Sequence, residues 1–252
     1  MVVLKTAREL QLMQHACKIS AQALELAGKA VKAGVSTHDI DALIHDFIVD
    51  AGAKPSFLGY GGFPASSCIS INDEIIHGIP SRKRIIQNGD IVSIDVGAFI
   101  DGYHGDNAYT FGVGDISDEA KKLLEATEQS LYEAIKVAVA GNRIGDIGHA
   151  VQSYVEDRGF SVIREYVGHG VGRELHEDPE VPNFGKAGHG VRLVPGMTIA
   201  IEPMVNAGVH DVRVLKDGWT VVTADGKLSA HYENTVLITD GEPEILTVTE
   251  GL

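Results

Sequence analysis

The chain has 252 residues, 44% of them apolar, enough to bury a sizeable core in one domain or in two close-packed halves. With 35 acidic residues against 21 basic ones its formal charge is -14, and the lack of any basic run argues against direct nucleic-acid binding. There is no basic-then-apolar leader and no apolar stretch of roughly eighteen residues that could span a membrane. Two scattered cysteines, Cys17 and Cys68, are too few for a disulfide framework, so a reducing cytoplasm is the expected compartment.

Thr6-Ala-Arg-Glu9 has capping-box spacing, and Leu10, Met13, Cys17, Leu24 and Val31 continue one helical face toward Gly34. Cys17 on that stripe reads as core. Ser36 to Asp39 caps a second helix with the stripe Ile40, Leu43, Ile44, Phe47 and Ile48, ending near Gly52. The run Phe57-Leu-Gly-Tyr-Gly-Gly-Phe-Pro64 is too glycine-rich for regular structure and too aromatic for a plain linker. A short strand, Ser67 to Ile71, turns at Asn72-Asp73-Glu74 into a segment carrying His77, a position open to a packed core histidine or a site residue.

Period-two alternation on both sides of Asp101-Gly102 predicts a β-hairpin in which Ile91 to Ile94 leads into Asp95, and Asp106 leads to Tyr109 and Phe111. Such pairing can bring Asp95 and Asp106 together. Two carboxylates on an apolar sheet repel and are costly to bury alone; divalent cations remove that cost, whereas the plainer alternative leaves one or both acids facing water. After Gly114 two more helices follow, one from Ser117 or Asp118 through Leu124, Leu131 and Ile135 to Gly141, the other marked by Ile144, Ile147, Val151, Tyr154 and Val155 and closed by Gly159. His149 on the latter reads as structural. Strand-like segments come next at 162–163, 198–205, 219–222 and 231–238. Helix, helix, strands, repeated once, predicts an α+β protein of two halves, 1–114 and 115–252, within a single domain, sharing a sheet system covered by helices.

Three further clusters carry chemistry. Gly168-His-Gly-Val-Gly172 leaves the His169 ring approachable, and His176 stands seven residues on, unlike the i, i+4 pair of helical zinc peptidases; both could converge through a bend, or only one be a ligand. Glu202 ends an apolar strand and is followed by Pro203, a position that suits a ligand or a general base better than a solvated face. Glu233 heads another apolar strand and shares a face with His231. Asp95, Asp106, His169, Glu202 and Glu233 together form a donor set for two divalent metals and for metal-assisted hydrolysis.

At these residues the chain resembles the bacterial type I methionine aminopeptidases, through Cys68 to Pro80, Ile94-Asp-Val96, His104-Gly-Asp106, Gly168 to Gly172, Thr198 to Pro203 and Tyr232-Glu-Asn-Thr235. The resemblance extends from the first helix to Ile238 and implies the pita-bread fold, two α+β halves related by a pseudo-twofold axis. It also implies that Asp95 chelates one metal, that Asp106 and Glu233 bridge two, and that His169 and Glu202 complete the second. Glu202 would additionally handle a proton of the attacking water. His77 would lie by the scissile amide and His176 would hydrogen-bond the substrate carbonyl. The methionine pocket maps onto Tyr60, Phe63, Cys68, Leu175 and Trp219, with His77 and His176 at its edge. The implied cofactors are two divalent ions (Co, Mn, Fe or Zn) and a monovalent cation near Asn72 and Ser229. The implied partners are N-terminal Met peptides and nascent chains with a small second residue, with transient ribosome contact, for a cytoplasmic monomer that binds neither nucleic acid nor membrane.

The sequence departs from that pattern at Leu175, often a bulkier aromatic, at Phe63, where Tyr is familiar, and at His231, where the best-known relatives carry Gln. The nearest rival is a proline-directed aminopeptidase or dipeptidase of the same fold, which usually has an extra amino-terminal domain that this chain has no room for. A non-catalytic peptide-binding protein that kept the fold is disfavoured by the filled ligand positions. A dimetal phosphoesterase is disfavoured by the apolar pocket and the lack of a basic phosphate clamp.

Overall fold

The computed structural model describes residues 1–249. Thr6 caps α1 (Ala7–Ala30) reciprocally: its hydroxyl accepts from the Glu9 N–H at 3.4 Å while the Glu9 carboxylate accepts from the Thr6 N–H at 2.9 Å. The helix buries Met13, Cys17 and Leu24 as the sequence period predicts, and its last turn closes at Val31, before Gly34. Ser36 caps α2 (Thr37–Asp50), which buries Ile40, Ile44 and Ile48. These apolar faces pack on β2 (Ser67–Ile71) and β4 (Ile91–Ile100) through Ile69, Ile71, Val92, Ile94 and Val96. Two short strands also belong to this half, β1 (Lys54–Pro55), which pairs with β4, and β3 (Glu74–Ile76), which joins a separate small sheet. β4 returns as β5 (Tyr103–Gly112) through Asp101 (φ 57°) and Gly102 (φ 84°), consecutive left-handed residues that suit the right-handed twist of a hairpin.

The second half repeats the plan. α3 (Asp118–Val137) and α4 (Ile144–Glu156) bury Leu123, Leu131, Ile135, Ile147 and Val151 against Ile199, Ile201, Val236 and Ile238. Its strands are β6 (Ser161–Val162), β7 (Gly168–Gly170), β8 (Glu177–Val181), β9 (Thr198–Ile201), β10 (Met204–Asn206), β11 (Val212–Val214), β12 (Val221–Thr223), β13 (Ser229–His231), β14 (Glu233–Leu237) and β15 (Glu244–Ile245). The main antiparallel sheet runs β1-β4-β5-β14-β9-β7-β8, with β2 also on β4 and β15 also on β14. The two halves therefore meet at the β5–β14 seam, with one helix pair packed in each, as a pseudo-twofold arrangement requires. Small sheets β13-β10-β6 and β11-β12-β3 flank it.

Three expected strands are reshaped. The segments 198–205 and 231–238 are each interrupted, at Glu202-Pro203 and at Tyr232. Pro203 has no N–H to give the ladder. On one side of the break Ile201 pairs with Asn234 in the main sheet; on the other Met204 pairs with His231 in a small one. The register is the same on both sides, so Glu202 and Glu233 stand opposite each other where the ladder is open. The third segment starts later than expected: Asp217 accepts the N–H groups of Trp219 and Thr220, both at 2.9 Å, which holds Trp219 in a turn ahead of β12.

α1 lies directly on the site strand at Gly105, where a Cβ would come closer than 3.0 Å to the backbone N and Cα of Cys17. Gly105→Ala is therefore expected to push α1 off β5 and cost about 2–3 kcal/mol, the scale of an overpacked core. Urea denaturation followed by circular dichroism measures this; an unchanged midpoint would mean that the helix gives way freely.

Candidate metal centre and adjoining pocket

The hairpin register places Asp95 opposite Ala108 and Asp106 opposite Gly97, so the two acids are diagonal neighbours on one face. On the other edge of β5, Glu233 also stands opposite Ala108. Three carboxylates thus surround a methyl group that leaves the space between them open, and Glu202 faces Glu233 from the broken end of β9. His169 enters from β7, its Nε2 3.6 Å from Glu202 Oε1 and 3.8 Å from Asp106 Oδ2. His231 enters from the far side, its Nε2 3.4 Å from Glu202 Oε2. One donor atom each from Asp106, His169 and Glu233 lie within 4.8 Å of one another, as do those of Glu202, His231 and Glu233.

The imidazole of His169 is oriented by a hydrogen bond of 2.8 Å between Nδ1 and the Gly170 carbonyl. A carbonyl only accepts, so Nδ1 carries the proton and Nε2 offers its lone pair to the centre. The flanking glycines serve close approach rather than left-handed backbone. A Cβ at Gly168 or Gly170 would come within 3.0 Å of the Ala200 or Asp178 carbonyl oxygen, because β7 is squeezed between neighbouring strands.

Among the described residues no lysine or arginine lines the pocket that these groups share. Burial, compounded by neighbouring carboxylates, pushes Asp95, Asp106 and Glu233 well above the usual carboxylate range, and burial lifts Glu202 to about 8. Burial lowers His169 and His231 to about 3, so both rings are neutral and free to donate a lone pair. Asp95 Oδ1, Asp106 Oδ1, Glu233 Oε1 and His231 Nε2 are all buried without a hydrogen-bond partner. Orphaned donor atoms of the right type, converging within ligand spacing, fit divalent cations held by oxygen and imidazole nitrogen.

Every residue expected to hold the divalent ions, to form the methionine pocket or to act in catalysis lines one pocket. Phe63, Cys68 and Leu175 are buried in its wall, with Trp219 edge-on to Phe63 at a centroid distance of 5.2 Å. The His77 backbone adopts φ 58°, a left-handed conformation costing roughly 1–2 kcal/mol for a residue with a Cβ. Its ring meets Tyr166 and Trp219 edge to face. Burial lowers His77 to about 4 and also lowers His176. The Tyr60 hydroxyl and His176 Nδ1 are 2.6 Å apart, short for an N–H donor and normal for an O–H donor, so the phenol donates and His176 keeps its proton on Nε2. Near Asn72 and Ser229, the Asn72 side chain is engaged by Asp90 and Ile91 and its carbonyl by the Ser229 N–H.

Sequence reasoning passed over Phe57, Ile76, Tyr166 and Val167, which also line the pocket. Phe57 sat in the glycine-aromatic run and Ile76 beside His77, signals already in view; Tyr166 and Val167 had none beyond preceding Gly168. His149 is exposed on α4, away from the centre.

Paired α+β halves with a carboxylate–imidazole cluster at their junction and an apolar pocket beside it define a metallohydrolase scaffold. The chain belongs to metallopeptidase family M24, which it matches over residues 11–240. It is 54% identical to a methionine aminopeptidase of Clostridium acetobutylicum, over 99% of this chain and 100% of that protein. It is 53% identical to methionine aminopeptidase 1 of Bacillus subtilis, over 98% and 99%. Among solved structures, a methionine aminopeptidase of Thermotoga maritima superposes with a TM-score of 0.97 at 47% identity, covering 98% of this chain and 99% of that one. A prolidase of Pyrococcus horikoshii shares the pita-bread fold at a TM-score of 0.81 and 26% identity, over 99% of this chain but 65% of its own. Divalent-metal binding follows from family membership and from the donor cluster.

The raised carboxyls give the metal-free protein a distinctive pH response. Glu202 ordinarily titrates near 4.5 and here near 8, so the folded state holds a proton that the unfolded state releases. That stability is present at low pH and is lost as pH rises through about 8. The lowered histidines act in the opposite sense, and their share fades as pH rises past their ordinary 6.5. Toward pH 8.5 the raised carboxyls therefore dominate the slope. Chelated protein is expected to lose up to about 1.4 kcal/mol per pH unit for each proton released. Saturating divalent cation should flatten that slope. Thermal melts between pH 7 and 8.5, with and without chelator, measure both; a chelated protein that grows more stable toward pH 8.5 would contradict the electrostatics.

Proposed function

We propose that this chain, as one catalytic domain, removes the N-terminal methionine from peptides and nascent proteins whose second residue is small. In this reading two divalent ions are held by Asp95, Asp106, His169, Glu202 and Glu233. The carrying observation is the apolar pocket of Phe63, Cys68, Leu175 and Trp219 ending at a carboxylate cluster in which Asp95, Asp106 and Glu233 each keep a buried oxygen without a hydrogen-bond partner. Likeness at 45–54% identity to proteins named methionine aminopeptidase supports the same substrate.

The cations would supply an activated water and polarise the scissile carbonyl. The protein's own residues do the rest. The unbranched methionine side chain fills the apolar wall, and the anionic floor suits a free α-amino group, which favours a chain end over an internal peptide. Glu202 takes a proton from the attacking water and delivers it to the leaving amine. His176 donates from Nε2 to the carbonyl oxygen as negative charge develops there, with the proton kept on that nitrogen by Tyr60. His77 stands beside the scissile amide and limits the room for the second residue. Mn, Fe, Co and Zn all suit this donor set. A monovalent cation near Asn72 and Ser229 would use main-chain carbonyls, since the Asn72 side chain is already engaged. Cytoplasmic location and transient contact with ribosomes as chains emerge accord with such a substrate. Among the described residues no helix is long and apolar enough to cross a membrane, and both cysteines are free. The proline-directed alternative draws support from fold alone, at far lower identity.

Tyr60→Phe is expected to lower kcat about tenfold with KM and metal content unchanged, because His176 then samples the tautomer that lacks the Nε2 proton. Nitrogen NMR of the imidazole should show that redistribution. A lower kcat with an unshifted His176 signal would assign Tyr60 to packing only.

The substrate assignment is tested by kcat/KM on Met-Ala-Ser, Met-Leu-Ser and Leu-Ala-Ser after chelation and readdition of each metal. Met-Ala-Ser should exceed Met-Leu-Ser by on the order of 10²-fold, since misplacing the carbonyl by about 1 Å has that effect. Leu175→Phe should widen the gap by removing volume near the site. Equal rates on the first two peptides in the unmodified protein would overturn the substrate class.

A further inference from the structure

His231 occupies the third corner of the second donor group and has no role in the reading above. It closes β13, where it pairs with Met204, and only 1% of it is exposed. Thr110 pins its backbone from both directions: the His231 N–H donates to Thr110 Oγ1 at 3.0 Å, and the Thr110 hydroxyl donates to the His231 carbonyl at 2.8 Å. The main chain that carries the imidazole is therefore held by the sheet. Its Nε2 is buried and has no hydrogen-bond partner.

We infer that His231 is itself a ligand of the divalent centre, adding a second imidazole nitrogen to the cation that Glu202 and Glu233 hold. The inference rests on the dimetal reading and extends its ligand set. Nε2 lies 3.4 Å from Glu202 Oε2, beyond the roughly 2.7–2.9 Å of a charge-assisted hydrogen bond. It is close to the spacing of two donors on one ion, roughly 3.0–3.4 Å when each bond is about 2.0–2.1 Å. On the other side of the carboxylate His169 Nε2 lies slightly farther off, 3.6 Å from Glu202 Oε1. Glu202 is flanked by two imidazoles, one for each oxygen. A glutamine at position 231 would offer only a neutral amide. Adding a second imidazole to a carboxylate site favours zinc and cobalt over manganese, so His231 makes the centre of this chain more selective for borderline metals.

The test uses the whole protein stripped of metal and reloaded with a single ion. In cobalt(II)-loaded protein, proton NMR should show two sets of hyperfine-shifted imidazole ring signals, and His231→Gln should show one. Calorimetric titration should find zinc affinity lowered on the order of 10–100-fold in His231→Gln, with manganese affinity changed by less than about threefold. A single imidazole set in the unmodified protein overturns the inference, as does unchanged zinc affinity in a folded His231→Gln. The signal count in the unmodified protein decides the matter even if the variant fails to fold. Glu233→Gln separates the two readings: metal lost there but retained in His231→Gln sinks only the role of His231, whereas metal stoichiometry unchanged in Glu233→Gln sinks the dimetal reading beneath it.

Discussion

Glu202 and Glu233 face each other across an open stretch of sheet, with Asp95 and Asp106 on the adjoining strands and no lysine or arginine lining the pocket they share. Four carboxyl groups so placed cannot all ionise in an apolar surround unless something positive joins them. Much of the local architecture accommodates that convergence. Ala108 keeps the middle of the cluster small, Pro203 ends the ladder so that Glu202 leaves the sheet, and Tyr232 breaks the facing strand at the matching position. The neutral rings of His169 and His231 bring lone pairs without further charge.

The two halves contribute unequally to what surrounds the centre. The first supplies the hairpin acids and the glycine-aromatic wall, and the second supplies both imidazoles beside Glu202 and the turn that carries Leu175 and His176. That turn is tied back to the amino-terminal segment. Glu177 accepts the Arg173 and Glu174 N–H groups with Oε1, at 2.8 and 3.3 Å, and the Lys5 ammonium with Oε2 at 2.5 Å. The Lys5–Glu177 pair is almost wholly buried, so removing either partner would leave an uncompensated charge beneath His176. Tyr60 reaches the same histidine from the other half. The catalytic roles proposed for His176 and Glu202 therefore depend on contacts made between halves, well beyond the metal donors.

Helix periods, caps and the central hairpin were legible in the chain because each rests on neighbours a few residues apart. The capping box at Thr6 and Glu9, the Ser36 cap, the stripe on α2 and the Asp101-Gly102 turn are all local signals with local causes. The unusual placement of Asp95, Asp106, Glu202 and Glu233 next to apolar runs was legible too, since a carboxylate at such a position has few plain explanations. Resemblance to a known family then supplied the ligand and pocket assignments that spacing left open, including which of His169 and His176 belongs to the metals. Strand ends were less legible: β7 and β8 went unrecognised, and two expected strands proved to be broken ones.

What the sequence determined by itself was the inventory: two α+β halves, a hairpin carrying two acids, glycine-flanked His169, and a surplus of carboxylates without cationic partners. Tertiary structure alone decided which of these meet. The shared register across the break sets Glu202 opposite Glu233, the β5–β14 seam brings Glu233 to Ala108 and so to Asp95, and the Thr110 anchor holds the main chain of His231 beside Glu202. The last two of these join strands more than a hundred residues apart in the chain, and no local period encodes any of the three; they exist only once both helix pairs have buried their apolar faces on a common sheet.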